Sequence, residues 1–127
     1  MGLNILIVDD SSLTRKVIEK TLHMTRIAID GVRHATNGKE ALAELRLAPC
    51  DLVFSDINMP VMNGIQFLDE KNADPLISTI PVVVISTDSS EGRAEQLKVR
   101  NVKAFVSKPF TPEMVEKVMS NALEAKV

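Results

Sequence analysis

Charged side chains follow three separate apolar runs of this chain, at the positions where predicted strands end. Asp9 and Asp10 follow the run ILIV, Asp56 follows LVFS, and Lys108 follows AFVS. In an open parallel α/β sheet the carboxyl ends of the strands lie along one edge, where ligands bind near the switch point in strand order. Like charges about 4 Å apart repel by roughly 4 kcal/mol in a partly screened setting. Three converging carboxylates therefore indicate a site for a hard divalent cation that also holds a phosphoryl group.

Each of these side chains has a chemical use at such a site. Mg²⁺ favours one or two carboxylates together with water and phosphate oxygens, which suits Asp9 and Asp10. An oxygen of Asp56 can attack phosphorus and form an acyl phosphate. Lys108 supplies a compact positive charge for a phosphoryl group, and Ser86, at the end of a fourth apolar run, supplies a hydroxyl.

Taken singly, each residue also has a commoner explanation. The pair Asp9 and Asp10 could lie at the positive end of a helix, and Asp56 could cap a turn. Ser86 could cap the next helix, and Lys108 could be a solvated surface residue. These separate explanations would all have to be true at once, at the ends of the first, third, fourth and fifth apolar runs. One common site explains all of these residues and is therefore favoured.

Hydrophobic periodicity predicts the strands and helices that position these residues. Five apolar runs alternate with five helical patterns, which predicts a parallel sheet with helices on both faces. The second run contains Arg33 and His34, so we place that strand at an edge of the sheet. The predicted strands are 5–8, 32–35, 52–55, 82–85 and 103–106.

The first helix should begin at a cap provided by Ser11 or Ser12. Its predicted buried stripe is Leu13, Val17, Ile18 and Leu22. In the loop after Asp56, Pro60 and Gly64 are typical turn residues.

Composition limits the function classes. A chain of 127 residues, 45% hydrophobic and 25% charged, is typical of one globular domain, which we expect to span residues 1–127. A net charge of −2 argues against a nucleic-acid-binding face, and 3% aromatic residues are too few for a base-stacking or flavin surface. The single Cys50 fits a reducing compartment, and no run reaches 18 apolar residues, so we expect a cytoplasmic protein without a membrane span.

These motifs together resemble the receiver domain of two-component response regulators, and most closely its stand-alone CheY-like chemotaxis members. The resemblance covers the whole chain and rests on Asp9-Asp10, the segments 56–64 and 81–86, and the tripeptide 108–110. It implies a doubly wound, flavodoxin-like α/β fold with strand order 2-1-3-4-5 and five helices.

The resemblance also implies residue roles. Asp56 is then the phosphoacceptor, and Mg²⁺ is held by Asp9, Asp10, Asp56 and the backbone carbonyl of Asn58. Such a protein is a signalling phosphoprotein that catalyses only its own phosphorylation and dephosphorylation.

Three further positions match the family's switch. Ser86 corresponds to the switch hydroxyl, Lys108 to the lysine that contacts the phosphoryl group, and Phe105 to the aromatic switch position. The implied partners are a histidine kinase as phosphodonor and a target protein on the helix 4, strand 5, helix 5 face. Neither nucleic acid nor membrane is an implied partner, and the implied state is a monomer, with dimerisation on phosphorylation left open.

Three other readings are open. The chain could be a phosphate relay or sink outside chemotaxis, or an interaction module that no longer accepts phosphate. It could also be a Mg²⁺-dependent aspartyl phosphatase, although the haloacid-dehalogenase group carries Asp-x-Asp after its first strand, whereas the acids here are adjacent. A flavodoxin-like cofactor binder is disfavoured by carboxylates where a phosphate loop is needed, and a P-loop motif is absent from the sequence.

Overall fold

The computed structural model describes residues 2–87 and 91–124, and strands and helices alternate along them. The strands are β1 (Leu3–Val8), β2 (Ile29–Ala35), β3 (Leu52–Ser55), β4 (Val82–Ser86) and β5 (Ala104–Ser107). The helices are α1 (Ser12–His23), α2 (Gly38–Leu47), α3 (Gly64–Ala73), α4 (Glu91–Lys98) and α5 (Pro112–Glu124). In these two ranges, no helix is long and apolar enough to cross a membrane.

The strands form one parallel sheet in the order β2-β1-β3-β4-β5, which confirms the predicted doubly wound fold. Its register aligns the carboxyl ends of the strands. Val8 pairs with Ser55 at the end of β1 and β3, and Ser86 pairs with Ser107 at the end of β4 and β5. The residues that follow these pairs must therefore emerge at the same edge of the sheet.

The core lies on both faces of the sheet, because successive side chains of a strand point to opposite faces. Leu6 and Val8 of β1 pack on the side covered by α2 and α3, whereas Ile5 and Ile7 pack on the side of α1 and α5. Strands buried on both faces read as continuous apolar runs. This is why the β1, β3 and β4 runs were visible in the sequence.

Polar side chains cap α1, as the sequence predicts, and also α3. The hydroxyl oxygen of Ser11 accepts a hydrogen bond from the backbone N–H of Thr14 at 3.2 Å, so Ser11 rather than Ser12 caps α1. Asn63 and Gln66 form a reciprocal capping box at the start of α3. The cap of α3 fixes where the loop after Asp56 ends.

The predicted buried stripe of α1 is wrong at its beginning. Ile18 and Leu22 are buried, but Leu13 is 71% exposed and Val17 is 48% exposed. Thr21 completes the buried stripe, and its hydroxyl donates to the carbonyl oxygen of Val17 at 2.8 Å. A threonine that bonds to its own helix needs no outside partner and packs like an apolar residue.

The same stripe continues toward the start of α1 through half-buried Thr14 and Arg15. Positions 14, 15, 18, 21 and 22 follow the i, i+3, i+4 spacing of one helix face, and Leu13 and Val17 lie beside that face. The apolar pattern alone therefore assigned the wrong face to the first turn.

Strand β2 lies at the sheet edge, as predicted, but begins at Ile29 instead of residue 32 because its parallel ladder with β1 starts at the pair Leu3 and Ile29. Two neighbouring side chains of β2 contact helices on opposite faces of the sheet. The guanidinium of Arg33 donates to the backbone oxygen of Glu44 at 2.8 Å, and His34 Nε2 lies 2.7 Å from Glu19 Oε1.

A strained turn lies in the loop between β3 and α3. Val61 has a φ of 66°, and the backbone N–H of Met62 donates to the carbonyl oxygen of Pro60 at 2.7 Å, which closes a γ-turn around Val61. Left-handed backbone is unfavourable for a β-branched residue. The Val61 side chain is 78% exposed, so little packing compensates for the strain.

Lys71 is buried in the last turn of α3, with 3% of its surface exposed. Its ammonium donates to the carbonyl oxygen of Ser78 at 2.8 Å. Burial, reinforced by the positive charge of Lys103, lowers the pKa of Lys71 from 10.5 to about 8. The folded state therefore disfavours the charged form of this side chain.

We expect Val61→Asn to raise the free energy of unfolding by about 1 kcal/mol, because asparagine tolerates left-handed backbone better than valine. Urea unfolding measures the change. Val99→Asn is the matched control, since Val99 is equally exposed and its φ is not positive. An equal gain in both variants would mean that lost surface hydrophobicity, not backbone strain, is responsible.

We expect Lys71→Met to stabilise the protein at pH 7 by about 1–2 kcal/mol, the relief of the buried charge less the lost bond to Ser78. Between pH 8 and 10.5 the unfolded chain holds a proton at Lys71 that the folded protein lacks, so wild-type stability rises with pH in that window. Urea unfolding at pH 7 and 9.5 should show this rise reduced in Lys71→Met. Exposed Lys98→Met should keep it, and an unchanged slope in Lys71→Met would contradict the assignment.

Candidate functional site

Two neighbouring strands place the acidic residues at one edge of the sheet. The backbone N–H of Asp56 donates to the carbonyl oxygen of Val8 at 2.9 Å, which holds the residue after β3 beside the end of β1. Carboxylate oxygens of Asp9, Asp10 and Asp56 lie within 4.8 Å of one another. Residues 47 positions apart in sequence thus share one acidic cluster.

The two adjacent aspartates occupy different environments. Asp9 is 2% exposed, and its Oδ1 accepts a hydrogen bond from the backbone N–H of Ser11 at 2.9 Å. Asp10 is exposed. Asp9 is therefore held in place by the start of α1, while Asp10 faces the solvent side of the cluster.

Asp56 presents one carboxylate oxygen to the cluster and has the other one fixed. Its Oδ1 accepts a hydrogen bond from the N–H of Ile57 at 2.7 Å, and its Oδ2 lies 3.6 Å from the ammonium of Lys108. The side chain is 14% exposed. Asp56 thus combines a fixed orientation with a path to solvent.

Lys108 lies between two of the carboxylates. Its Nζ is 3.4 Å from Asp9 Oδ2 and 3.6 Å from Asp56 Oδ2. The backbone N–H of Lys108 donates to the carbonyl oxygen of Ser86 at 3.0 Å, and the Lys108-Pro109 peptide bond is cis. The end of β4 therefore positions the lysine that follows β5.

One ammonium offsets only one of the three carboxylates, which leaves the cluster with a charge of about −2. Closely spaced carboxylate oxygens with this net charge are the donor set that hard divalent cations prefer. The residues present therefore fit Mg²⁺, with Asp9, Asp10 and Asp56 as the groups able to bind it.

The other predicted site residues lie around this cluster. Ser86 ends β4 and is buried, and Asn58 lies in the loop after Asp56 and is exposed. Phe105 is half-buried and packs against the core cluster that contains Val84 and Leu97. Among the expected switch residues, the structure thus brings the backbone of Ser86 into contact with Lys108, and the role of Phe105 stays a prediction.

Gly64 closes the loop directly behind Asp56. Its N–H donates to the carbonyl oxygen of Ile57 at 2.7 Å, and a Cβ atom at Gly64 would lie 2.5 Å from the backbone oxygen of Asp56. The sequence suggested a turn residue. In the structure, glycine is required because the backbones of residue 64 and Asp56 lie so close together that no side chain fits between them.

Arg15 is a site neighbour that the sequence reasoning missed. Its guanidinium donates to the carbonyl oxygen of Asp9 at 2.6 Å and to Nδ1 of His34 at 3.2 Å. This contact holds the backbone of the first acidic residue and places a positive charge near the cluster. A cation in the second turn of the helix that follows an acid pair is the signal that pointed to it.

Comparison with known proteins agrees with this geometry. Residues 5–120 match the family model described as the response regulator receiver domain. The chain is 31% identical to chemotaxis protein CheY1 of Helicobacter pylori over 95% of this chain and 97% of that protein. It is 30% identical to a chemotaxis protein CheY homologue of Campylobacter jejuni over 95% of this chain and 92% of that protein.

Solved structures show the same likeness. The chemotaxis response regulator CheY4 of Vibrio cholerae superimposes with a TM-score of 0.84 at 30% identity, over 97% of this chain and all of that chain. A putative response regulator from Chloroflexus aurantiacus has a TM-score of 0.88 at 22% identity over 98% and 99% of the two chains, which shows the shared fold. The chain therefore belongs to the family of response regulator receiver domains and is CheY-like.

Proposed function

We propose that this protein is a phosphorylation switch of a two-component system, in which Asp56 accepts a phosphoryl group and the phosphorylated form binds a target protein. One observation carries the proposal. A carboxylate oxygen of Asp56 lies within 4.8 Å of oxygens of Asp9 and Asp10, and its Oδ2 lies 3.6 Å from the Lys108 ammonium. The proposal also takes residues 1–127 as one receiver domain acting as a monomer in the cytoplasm, where the single Cys50 stays reduced.

The chemistry begins with Oδ2 of Asp56 as nucleophile. The hydrogen bond from Ile57 to Oδ1 fixes the carboxylate plane, so that Oδ2 can approach phosphorus in line with the leaving group. A phosphorus–oxygen bond forms while the phosphorus–nitrogen bond of a phosphohistidine breaks, and the imidazole leaves with the bonding electron pair. A small phosphodonor such as acetyl phosphate loses acetate in the same way.

Charge neutralisation is the main task of the surrounding residues. Mg²⁺ bound by Asp9, Asp10, Asp56 and the backbone carbonyl of Asn58 would neutralise the anionic nucleophile and the phosphoryl oxygens together. The Lys108 ammonium then moves its interaction from the carboxylate of Asp56 toward the new phosphoryl group.

The switch step follows from the new negative charge. The Ser86 hydroxyl, at the end of β4, donates to a phosphoryl oxygen, and Phe105 in β5 moves further inward in response. The exchange shifts the population of two arrangements of the α4, β5 and α5 face, with a coupling of about 1–3 kcal/mol. Val99 and Met114 are exposed apolar residues on this face, which a target protein would cover.

We further propose that the phosphodonor is a histidine kinase and that the pathway is chemotaxis, because the named relatives at 30–31% identity are chemotaxis proteins. A relay or sink outside chemotaxis is the second candidate. The observation that favours it is Phe105, which stands where the chemotaxis members carry a tyrosine and has no hydroxyl for a partner.

We expect acetyl phosphate with Mg²⁺ to label the wild-type protein with up to one phosphoryl group per chain, and Asp56→Asn or added EDTA to abolish labelling. Intact-mass spectrometry measures the stoichiometry. Asp51→Asn, at the opposite end of β3, is the matched control and should label normally. Sustained release of phosphate over many turnovers would indicate a phosphatase, and labelling of Asp56→Asn would remove Asp56 from its role.

We expect Gly64→Ala to slow labelling of Asp56 at least about tenfold, because the added methyl group displaces the backbone that aims the nucleophile. It should also lower the free energy of unfolding by about 1–3 kcal/mol. Gly31→Ala is the control, since its Cβ would meet only the flexible Asn4 side chain at 3.1 Å. Wild-type labelling by a folded Gly64→Ala protein would contradict this account of the loop.

A further inference from the structure

We propose that a cavity at the amino ends of β4 and β5 binds a small phosphate monoester through the ammonium groups of Lys71 and Lys103. The cavity has a volume of about 350 Å³ and is formed by the end of α3, the loop before β4 and the loop before β5. It lies at the opposite edge of the sheet from the carboxylate cluster. The inference is therefore independent of the proposed phosphorylation of Asp56.

The first observation is a buried ammonium with neutral partners. Lys71 is 97% buried, and its Nζ donates to the carbonyl oxygen of Ser78 at 2.8 Å and to the side-chain oxygen of Asn72 at 3.5 Å. An ammonium has three N–H donors, and among the described residues no third acceptor is present. Burying a charge without an opposite charge is costly, so one donor at the cavity wall remains for a ligand.

The second observation is that the neighbouring acids are engaged elsewhere. Asp69 pairs with Arg100 at 2.8 Å, and Asp74 pairs with Arg46 at 3.0 Å. No carboxylate belongs to the residues that line the cavity, whereas both lysines do. The cavity therefore carries two positive charges that no carboxylate among its lining residues neutralises, and a concave wall concentrates their field.

The lowered pKa of Lys71 is consistent with this arrangement. Burial is its main cause and the charge of Lys103 adds to it, so the ammonium is short of negative charge nearby. A bound anion would act in the opposite direction and raise that pKa.

The chemistry of the wall favours a phosphate group. A dianionic phosphate can face both ammonium groups, and the hydroxyl of Thr79 supplies a further donor at the same wall. The volume corresponds to about twelve water molecules at roughly 30 Å³ each, more than one phosphate group fills. The remaining space fits the organic part of a small phosphate ester.

The test is an NMR titration of the full ¹⁵N-labelled chain with glycerol 3-phosphate, inorganic phosphate and glycerol. EDTA is present and ionic strength is held constant with sodium chloride. We expect saturable shifts of the amides of residues 71, 78–80 and 101–103 with both phosphates, tighter binding of the ester, and none with glycerol. Equal affinity for the two phosphates would show that the organic part is not recognised and would overturn the monoester assignment. Shifts that grow linearly without saturation would overturn the site.

Variants distinguish binding in this cavity from general electrostatic attraction of phosphate to surface lysines. Lys103→Gln should weaken binding about tenfold through loss of one charge, and Lys71→Met should abolish saturable binding. Lys20→Gln, an exposed lysine in α1, should bind like wild type. Equal weakening by Lys20→Gln and Lys103→Gln would overturn the proposal.

A measurement on the wild-type protein tests the proposal even if the Lys71→Met variant does not fold. The pKa of the Lys71 ammonium, followed through its ¹³Cε shift, should rise from about 8 when glycerol 3-phosphate is saturating. An unchanged Lys71 titration at saturation would place the ligand elsewhere and overturn the assignment.

Discussion

Mutual repulsion among three carboxylates is the constraint around which the carboxyl edge of this sheet is built. Their oxygens lie within 4.8 Å of one another, and a single ammonium, that of Lys108, offsets part of their charge. The protein holds the cluster together with backbone hydrogen bonds to Asp9 and Asp56 and with the contact of Arg15 to the first of these residues. The remaining negative charge suits the site to a divalent cation.

The packing of the sheet allows the three carboxylates to lie close together despite their repulsion. The central strands are buried on both faces, so the positions of their ends are set by packing and by the parallel register. The packing of the core offsets the cost of bringing like charges together. The requirement for glycine at position 64 shows how closely the core and this edge approach each other, because the backbone of Asp56 lies directly against the first residue of α3.

The sequence predicted the strands and the convergence of Asp9, Asp10, Asp56 and Lys108 at one edge, because both leave local signals. A strand buried on both faces is a continuous apolar run, and a polar residue after it marks an edge of the sheet. Arg15 and Lys71 left no signal of this kind, because each bonds to a backbone carbonyl oxygen, and the residue type at Asp9 or Ser78 does not reveal such a contact. Leu13 and Val17 matched the helical period but lie beside the buried face, because Thr21 satisfies its own hydroxyl and takes an apolar place.

The outer strand β2 has a further consequence. An unpaired strand edge can accept a strand from another chain, but β2 carries Asp30, Arg33 and His34, and the last two are tied to helices on either side of the sheet. These charged side chains and their bonds to α1 and α2 make the outer edge of β2 a poor template for β-pairing with another chain. These side chains therefore protect the outer strand against edge-to-edge aggregation.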